Sequence, residues 1–374
     1  MGKQKTNRSS VHCSPAVEAA KSVKREEQVA RTDGWTDEHH HNIPTFSQKH
    51  GDNDRDEIER NYQVSMEMIT EKIKKLGLPP LISRNFQQFS CDGPVIRVMQ
   101  FNMLAQGLTS GDGNFIACPP AALQHDTRKL RIVEEILRYS ATIVCLEECD
   151  LFEYLTETLA ACGYVGLFFP KPHSPCLEMP ENWGPDGCAL FYKPSVVTLR
   201  NSNSFPLKEG MNTANQVMIM AVFNLNADSD FVFNVGVTHL KSKKPYREQR
   251  KLQGEFIRKY SLENCQDYPL IICGDFNAEP TEPVCELMKS SGLTSAYTSL
   301  SPDKKTEPKF TTWKIRPGSE ECHVIDYIWY TASGFKVKAL LDVPSEEEVG
   351  KDRLPSLRYP SDHISLVCDF AIVK

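Results

Sequence analysis

The chain is short of several features that would settle its class at once. No stretch approaches the eighteen or so uninterrupted apolar residues of a membrane span. MGKQKTNRSSVHC, at the start, lacks the apolar segment of a secretory leader, and Glu18, Glu26 and Glu27 argue against an acid-poor mitochondrial presequence. There is no GxGxxG, no P-loop and no internal repeat, which removes the glycine-rich phosphate cradles and solenoids. The 13 cysteines contain no CxxC pair, and the nearest spacing, Cys145 with Cys149, does not suit zinc. Several lie inside apolar runs, such as Cys145, Cys273 and Cys368, and read as reduced, buried thiols of a cytoplasmic protein. Mitochondrial or membrane-associated pools stay open at this stage. A basic excess is missing too: residues 91–374 hold 29 Lys and Arg against 36 Asp and Glu. Such a domain is poorly suited to gripping long nucleic acid, although a local basic pocket is compatible with it.

What is present is a polar beginning followed by a regular alternation. Residues 1–55 are polar and His-rich without apolar periodicity, and are expected to be disordered. His39, His40 and His41 read as a solvated tract in preference to a metal site. Residues 56–76 space Ile58, Tyr62, Met66, Ile69 and Ile73 as one helical stripe, which Gly77 and Pro79-Pro80 stop. With its linker this makes a segment 56–93, and the main folded domain is expected over 94–374. There, VIRVMQFNML, ATIVCLEE, GCALFYK, NQVMIMAVFNL, FVFNVGVTHL, PLIICGDFN, VIDYIWY and ISLVCDFAIV read as strands. DTRKLRIVEEILRY, LFEYLTETLAA, PYREQRKLQGEFIRKY and TEPVCELMKSS read as helices, the last with Thr281 as cap and Pro283 in its first turn. The mixture predicts a layered α/β fold. Three strands without an intervening helix, GCALFYK to FVFNVGVTHL, predict antiparallel pairing and disfavour a purely parallel sheet.

Polar residues gather where these apolar segments end: Asn102, Glu148, His239, Asp275, Asn277, Asp326 and the pair Asp362-His363. Taken singly, each is a turn residue or a solvated edge. Together they are carboxylates, amides and imidazoles with no nucleophilic Ser or Cys, a set that suits metal-assisted hydrolysis of a phosphate ester. A hard cation needs carboxylate oxygens. A second carboxylate must deprotonate the attacking water. Neutral Asn and protonated His can donate to phosphoryl oxygens, with Asp326 the candidate partner that keeps His363 charged.

The segments QFNMLAQ, CLEECD, GPDGCALF, THLK, CGDFNAEP, IDYIWY and YPSDH together resemble the endonuclease/exonuclease/phosphatase superfamily. FFPKPHSPC, NQV, TTWKIR and YPSDHISLVCDF narrow the resemblance to the nocturnin family within the CCR4-type branch, over about residues 94–370. The resemblance implies a four-layer α/β sandwich, two mixed β-sheets face to face with outer helices. It implies Glu148 as ligand of a Mg²⁺ cofactor with Asn102 beside it, Asp275 as the water-activating carboxylate, Asn277 as the phosphate-binding amide, and Asp326 with His363 as the Asp-His pair. It also implies a phosphatase that removes the 2′-phosphate of NADP⁺ and NADPH. Lys171, Asn215, Gln216, His239, Lys241, Lys243 and Arg316, with Glu148 and His363, then face the dinucleotide.

Two positions depart from the family pattern. Lys243 stands where Arg is usual, and a lysine cannot fork to two phosphate oxygens. Glu147 stands where Gln is usual, and strand alternation turns it away from the metal side. Two other functions are weighed against the 2′-phosphatase. A poly(A)-specific 3′-exoribonuclease would need a basic track with interleaved aromatics, which the sequence lacks. A non-catalytic scaffold would have no need of the intact polar set. Finally, Met1-Gly2-Lys3-Gln4-Lys5-Thr6 fits the myristoylation pattern, which with Lys3, Lys5 and Arg8 would give a weak membrane contact.

Overall fold

A computed structural model describes residues 52–109, 114–180 and 182–373. Gly2, the His39–His41 tract and residues 1–51 of the segment 1–55 expected to be disordered lie outside the described residues, while residues 52–55 are helical and open α1. The helices are α1 (Asp52–Lys75), α2 (Pro120–Leu123), α3 (His125–Tyr139), α4 (Phe152–Ala160), α5 (Arg247–Asn264), α6 (Pro283–Ser290) and α7 (Glu346–Val349). The strands run β1 (Phe86–Gln88), β2 (Val95–Asn102), β3 (Ile143–Cys149), β4 (Val165–Pro170), β5 (Gly187–Tyr192), β6 (Val197–Glu209), β7 (Asn212–Leu225) and β8 (Asp228–His239). They continue with β9 (Leu270–Asp275), β10 (Leu293–Ser295), β11 (Thr312–Arg316), β12 (Ser319–His323), β13 (Asp326–Thr331), β14 (Phe335–Leu341) and β15 (Leu366–Ile372).

One sheet has the order β1-β14-β15-β2-β3-β5-β4 and the other β10-β13-β9-β8-β7-β6, with β11-β12 a separate hairpin. Each large sheet holds one parallel pair, β2 with β3 and β8 with β9. The space between the sheets is filled from both inner faces, by Val98, Ile143 and Cys145 on one side and Val235, Val237, Ile271 and Ile328 on the other. Ile132, Val133 and Ile136 of α3 join the same core. A second core behind β9 packs Ile272 and Phe276 against Ile257 of α5 and Val284 and Met288 of α6. The result is helix, sheet, sheet, helix: the four-layer sandwich expected.

This layering explains the run LIICGD of β9. All six residues are buried, because helices cover one face and the opposite sheet covers the other. Gly274 is required by close approach, since a Cβ there would lie 2.2 Å from the carbonyl oxygen of Thr238 on β8.

The sequence reading differs from the structure in three places. Residues 56–93 pack onto the domain instead of preceding it. Ile69 and Ile73 of α1 are buried, the Tyr62 hydroxyl donates to the Leu137 carbonyl of α3, and β1 pairs with β14. β5 belongs to the first sheet, and the antiparallel partner of β7 besides β8 is β6, whose polar exposed residues conceal it in the sequence. The cap of α6 is Glu282, with Pro283 at its first position, and no side-chain bond from Thr281 closes it. All twelve described cysteines are free thiols. No described helix is long and apolar enough to cross a membrane.

Candidate active site

Register brings the polar strand ends together. In the second sheet His239, Asp275 and Asp326 share one rung across β8, β9 and β13. In the first, Asn102 lies opposite Glu147. Asn102 then reaches across the sandwich, its Nδ2 donating to Asp275 Oδ2 at 3.0 Å. The amide is aimed by its own loop, because Oδ1 accepts from the Leu104 amide at 3.1 Å and Leu104 turns the chain with φ of 59°. Asp275 Oδ1 accepts from the Asn277 amide at 2.8 Å. Burial and the neighbouring Asp326 push the Asp275 carboxyl up to about 7, against the opposing pull of His363.

Two imidazoles flank Asp275 Oδ2, with His239 Nε2 at 3.5 Å and His363 Nε2 at 3.9 Å. His363 Nδ1 lies 2.9 Å from Asp326 Oδ2. Burial opposes its charge, but Asp326, Asp362 and Asp275 outweigh it and raise His363 to about 10. Asp326 is itself fixed, accepting from Thr311 Oγ1 at 2.6 Å and Gln100 Nε2 at 3.1 Å. His239 is the opposite case. Burial, Lys171 and His363 hold it well below its ordinary value. Asn277 Nδ2, a donor, sits 2.9 Å from Nε2, so that nitrogen is the acceptor of a neutral ring.

Glu148 lies at the rim, half-buried, with φ of 51° where the β3–β5 register slips between Leu146 and Cys149. Its Oε2 accepts from the Ala105 amide at 3.2 Å. This bulge overturns the simple alternation assumed for Glu147. Glu147 is not turned away from the site. It is fully buried between the sheets, accepts from Gln100 Nε2 at 2.8 Å, and that same nitrogen binds Asp326. Burial, then Asp326, raises its carboxyl well above the usual range.

The expected cations divide into two groups. Lys171 is paired with Asp186 and also senses Glu148. Arg316 donates to Asn114 Oδ1 at 2.8 Å, sits 3.6 Å from Glu321 Oε2 and stacks over Phe115. Lys241 and Lys243 follow His239 on the loop whose Leu240 carbonyl accepts from Asn277 at 3.1 Å, and Lys243 is exposed. Gln216 is buried and accepts from Gln253 Nε2 at 3.0 Å. Asn215 has both amide atoms engaged with the His173 backbone, at 2.8 and 2.7 Å, so it shapes the loop after Lys171.

Lys314 was missed. It is buried, bonded to Asp362 Oδ2 at 2.5 Å, and sensed by Glu148 and Arg316. The signal was available: Thr312, Lys314 and Arg316 share one face of β11 by alternation. Arg128 was missed too. It is a buried cation that donates to the Met103, Leu104 and Pro360 carbonyls, tying the loop after Asn102 to the loop before His363. Nothing in a helix sequence marks such a bond.

Among the described residues, Asp275, Asp326 and His363 bring potential metal-ligand atoms within 4.8 Å of one another. That trio is a hydrogen-bonded pair facing a base, because a protonated His363 has no lone pair to offer. Glu148 at the rim and the buried Asn102 amide oxygen are hard oxygen donors of the kind that fits a divalent cation of the magnesium class.

Comparison with known proteins agrees with this geometry. The Endonuclease/Exonuclease/phosphatase family matches residues 99–363. Nocturnin of Rattus norvegicus is 46% identical over 306 residues, covering 78% of this chain and 70% of its own. The human Nocturnin catalytic domain with bound sulfate anion superposes with a TM-score of 0.67 at 39% identity, over 79% of this chain and all of that one. The Candida albicans CCR4-Not complex 3′-5′-exoribonuclease subunit Ccr4 is 27% identical over 74% of this chain and 41% of its own. Enzymes of this family are generally divalent-metal dependent, and the chain belongs to the endonuclease/exonuclease/phosphatase family, among its nocturnins.

Proposed function

We propose that the protein is a Mg²⁺-dependent phosphatase that removes the 2′-phosphate of NADP⁺ and NADPH, giving NAD⁺ and NADH. The observation that carries this reading is the pair of buried cations, Lys171 and Lys314, that both lie within electrostatic reach of Glu148, with Arg316 beside Lys314, in a domain that is acidic overall. A compact group of buried, paired cations beside a rim carboxylate suits a small, highly charged dinucleotide better than a long strand. Asp275, with a carboxyl near neutrality, takes a proton from water as the water oxygen forms its bond to phosphorus. Protonated His363 donates to a phosphoryl oxygen while the bond from phosphorus to the ribose 2′-oxygen breaks and that oxygen takes a proton from solvent, and the Asn277 amide joins it by giving up its bond to the Leu240 carbonyl. Magnesium held by Glu148 beside Asn102 would supply positive charge for the phosphoryl and leaving oxygens. The free thiols support a reducing, cytoplasmic setting.

The Ccr4 likeness favours a second reading, 3′-exonucleolytic removal of AMP from poly(A). Purified protein incubated with Mg²⁺ and either NADPH or labelled poly(A) separates the two. Phosphate from NADPH alone, abolished by EDTA, is the expected result. AMP released from poly(A) without phosphate from NADPH would overturn the proposal.

A further inference from the structure

Two buried side chains on α5 act on the loop that follows His239 without reaching the reacting centre. Arg250 is 1% exposed and Gln253 0%, and they lie three residues apart on the covered face of the helix. Arg250 Nη1 donates to the carbonyls of Lys241 at 3.1 Å and Lys243 at 2.8 Å. Its Nε and Nη2 bind the Glu282 carboxylate at 3.1 and 2.7 Å. Gln253 Oε1 accepts from the Lys241 amide at 3.0 Å, while its Nε2 donates to Gln216 and Glu209 at 3.0 and 2.7 Å. Both the N–H and the C=O of Lys241 are thus held from α5.

The loop has reason to need holding. Lys243 has φ of 76° and ψ of 138°, a conformation that L residues avoid. Its carbonyl is fixed by Arg250. Lys241 Nζ is seated 4.8 Å from the centre of the Tyr246 ring, so the ammonium too has a defined place. Because Glu282 neutralises Arg250 within the fold, Arg250 contributes little net field to the site. Its effect is on the shape of the loop. Lysine could not replace it, having neither the fork nor enough directed donors for a carboxylate and two carbonyls.

We infer that Arg250 and Gln253 are positioning residues that hold Lys241, Lys243 and Gln216 in one arrangement, and that they set affinity for the anionic substrate without taking part in bond breaking. The inference rests on the 2′-phosphatase reading only for the identity of that substrate. Arg250→Lys is expected to raise KM for NADPH about 10-fold, with kcat changed less than twofold, since misplacing a binding group by an ångström is worth that much or more. The dependence of log KM on log salt should flatten as well. A residue needed only for folding would lower the active fraction, and so apparent kcat, and leave KM alone.

Calorimetric titration with inorganic pyrophosphate in EDTA supplies a readout that does not depend on turnover. The wild type should bind about 10-fold more tightly than Arg250→Lys. If Arg250→Lys does not fold, Gln253→Met carries the same expectation through the Lys241 amide. If the wild type fails to hydrolyse NADPH yet shows the pyrophosphate difference, the 2′-phosphatase reading falls and the positioning role stands. A folded variant with unchanged KM and unchanged pyrophosphate binding would overturn it.

Discussion

His363 and His239 approach the same oxygen of Asp275 from two sides and differ in charge, the first protonated and the second neutral. The His363 side is built from acids, with Asp326, Asp362 and Asp275 around one buried ring. The His239 side is built from a neutral amide, a peptide carbonyl and the Lys171 ammonium. Nothing about either residue alone predicts this, and burial by itself favours the neutral ring in both cases. The difference lies in the number of carboxylates within reach. One site therefore holds a cationic ring beside a neutral ring that fixes Asn277, with a carboxylate between them that titrates near neutrality.

The strongest way to break the contrast is Asp326→Asn. It removes the largest support for the His363 charge and part of the repulsion on Asp275. The proton on His363 should then be lost at lower pH, and the Asp275 carboxyl should also titrate lower. Activity should fall at least about 10³-fold, since a charged donor and the poise of the base are lost together. Proton NMR of the imidazoles in EDTA checks the cause. In wild type the His363 ring should lose its proton only near pH 10, and the His239 ring should show no imidazole titration at its ordinary value. A titration of His363 near its ordinary value in wild type would remove the argument.

How much of this was legible beforehand follows from the range over which each signal acts. Runs such as LIICGD and IVCLEE announce buried strands, because two covered faces demand continuous apolar residues. The residues that end them stand out as polar letters after apolar ones, which is how Asp275, His239 and Asn102 were found. The charge states were not legible, because they depend on pairs such as Asp326 and His363, 37 residues apart. β6 was hidden by its run of Asn and Ser, with Asn201 and Asn203 exposed. The bulge at Glu148 was hidden because nothing in LEEC forces a positive φ on a glutamate. Nothing in the helix sequences sets Arg128 and Arg250 apart from helix-surface cations, because the carbonyls they bind lie on distant loops or before the helix start. That the four layers form as they do came from the resemblance, not from the alternation of elements.

Glu148 and Glu147 repeat the comparison between neighbours, with smaller expected effects. Glu148→Gln, which removes the rim carboxylate, should lower kcat at least about 10²-fold, on the scale of a lost electrostatic stabiliser. Glu147→Gln should keep activity within about twofold, because the new amide oxygen accepts from Gln100 Nε2 as the carboxyl did and leaves the bond from Gln100 to Asp326 in place. Its effect belongs to stability. The Glu147 carboxyl is held protonated in the fold by burial and by Asp326, whereas in the unfolded chain it ionises freely. Such a group contributes its full stability below the unfolded value and loses it as the pH rises towards the folded one. Glutamine has no proton to lose, so the variant should match wild type at pH 4 and melt about 2 °C higher at pH 7. Melting curves at the two pH values decide it. A lower midpoint for Glu147→Gln at pH 7 would mean that Glu147 is ionised and paired within the fold, and that Gln100 bridges two charged acids.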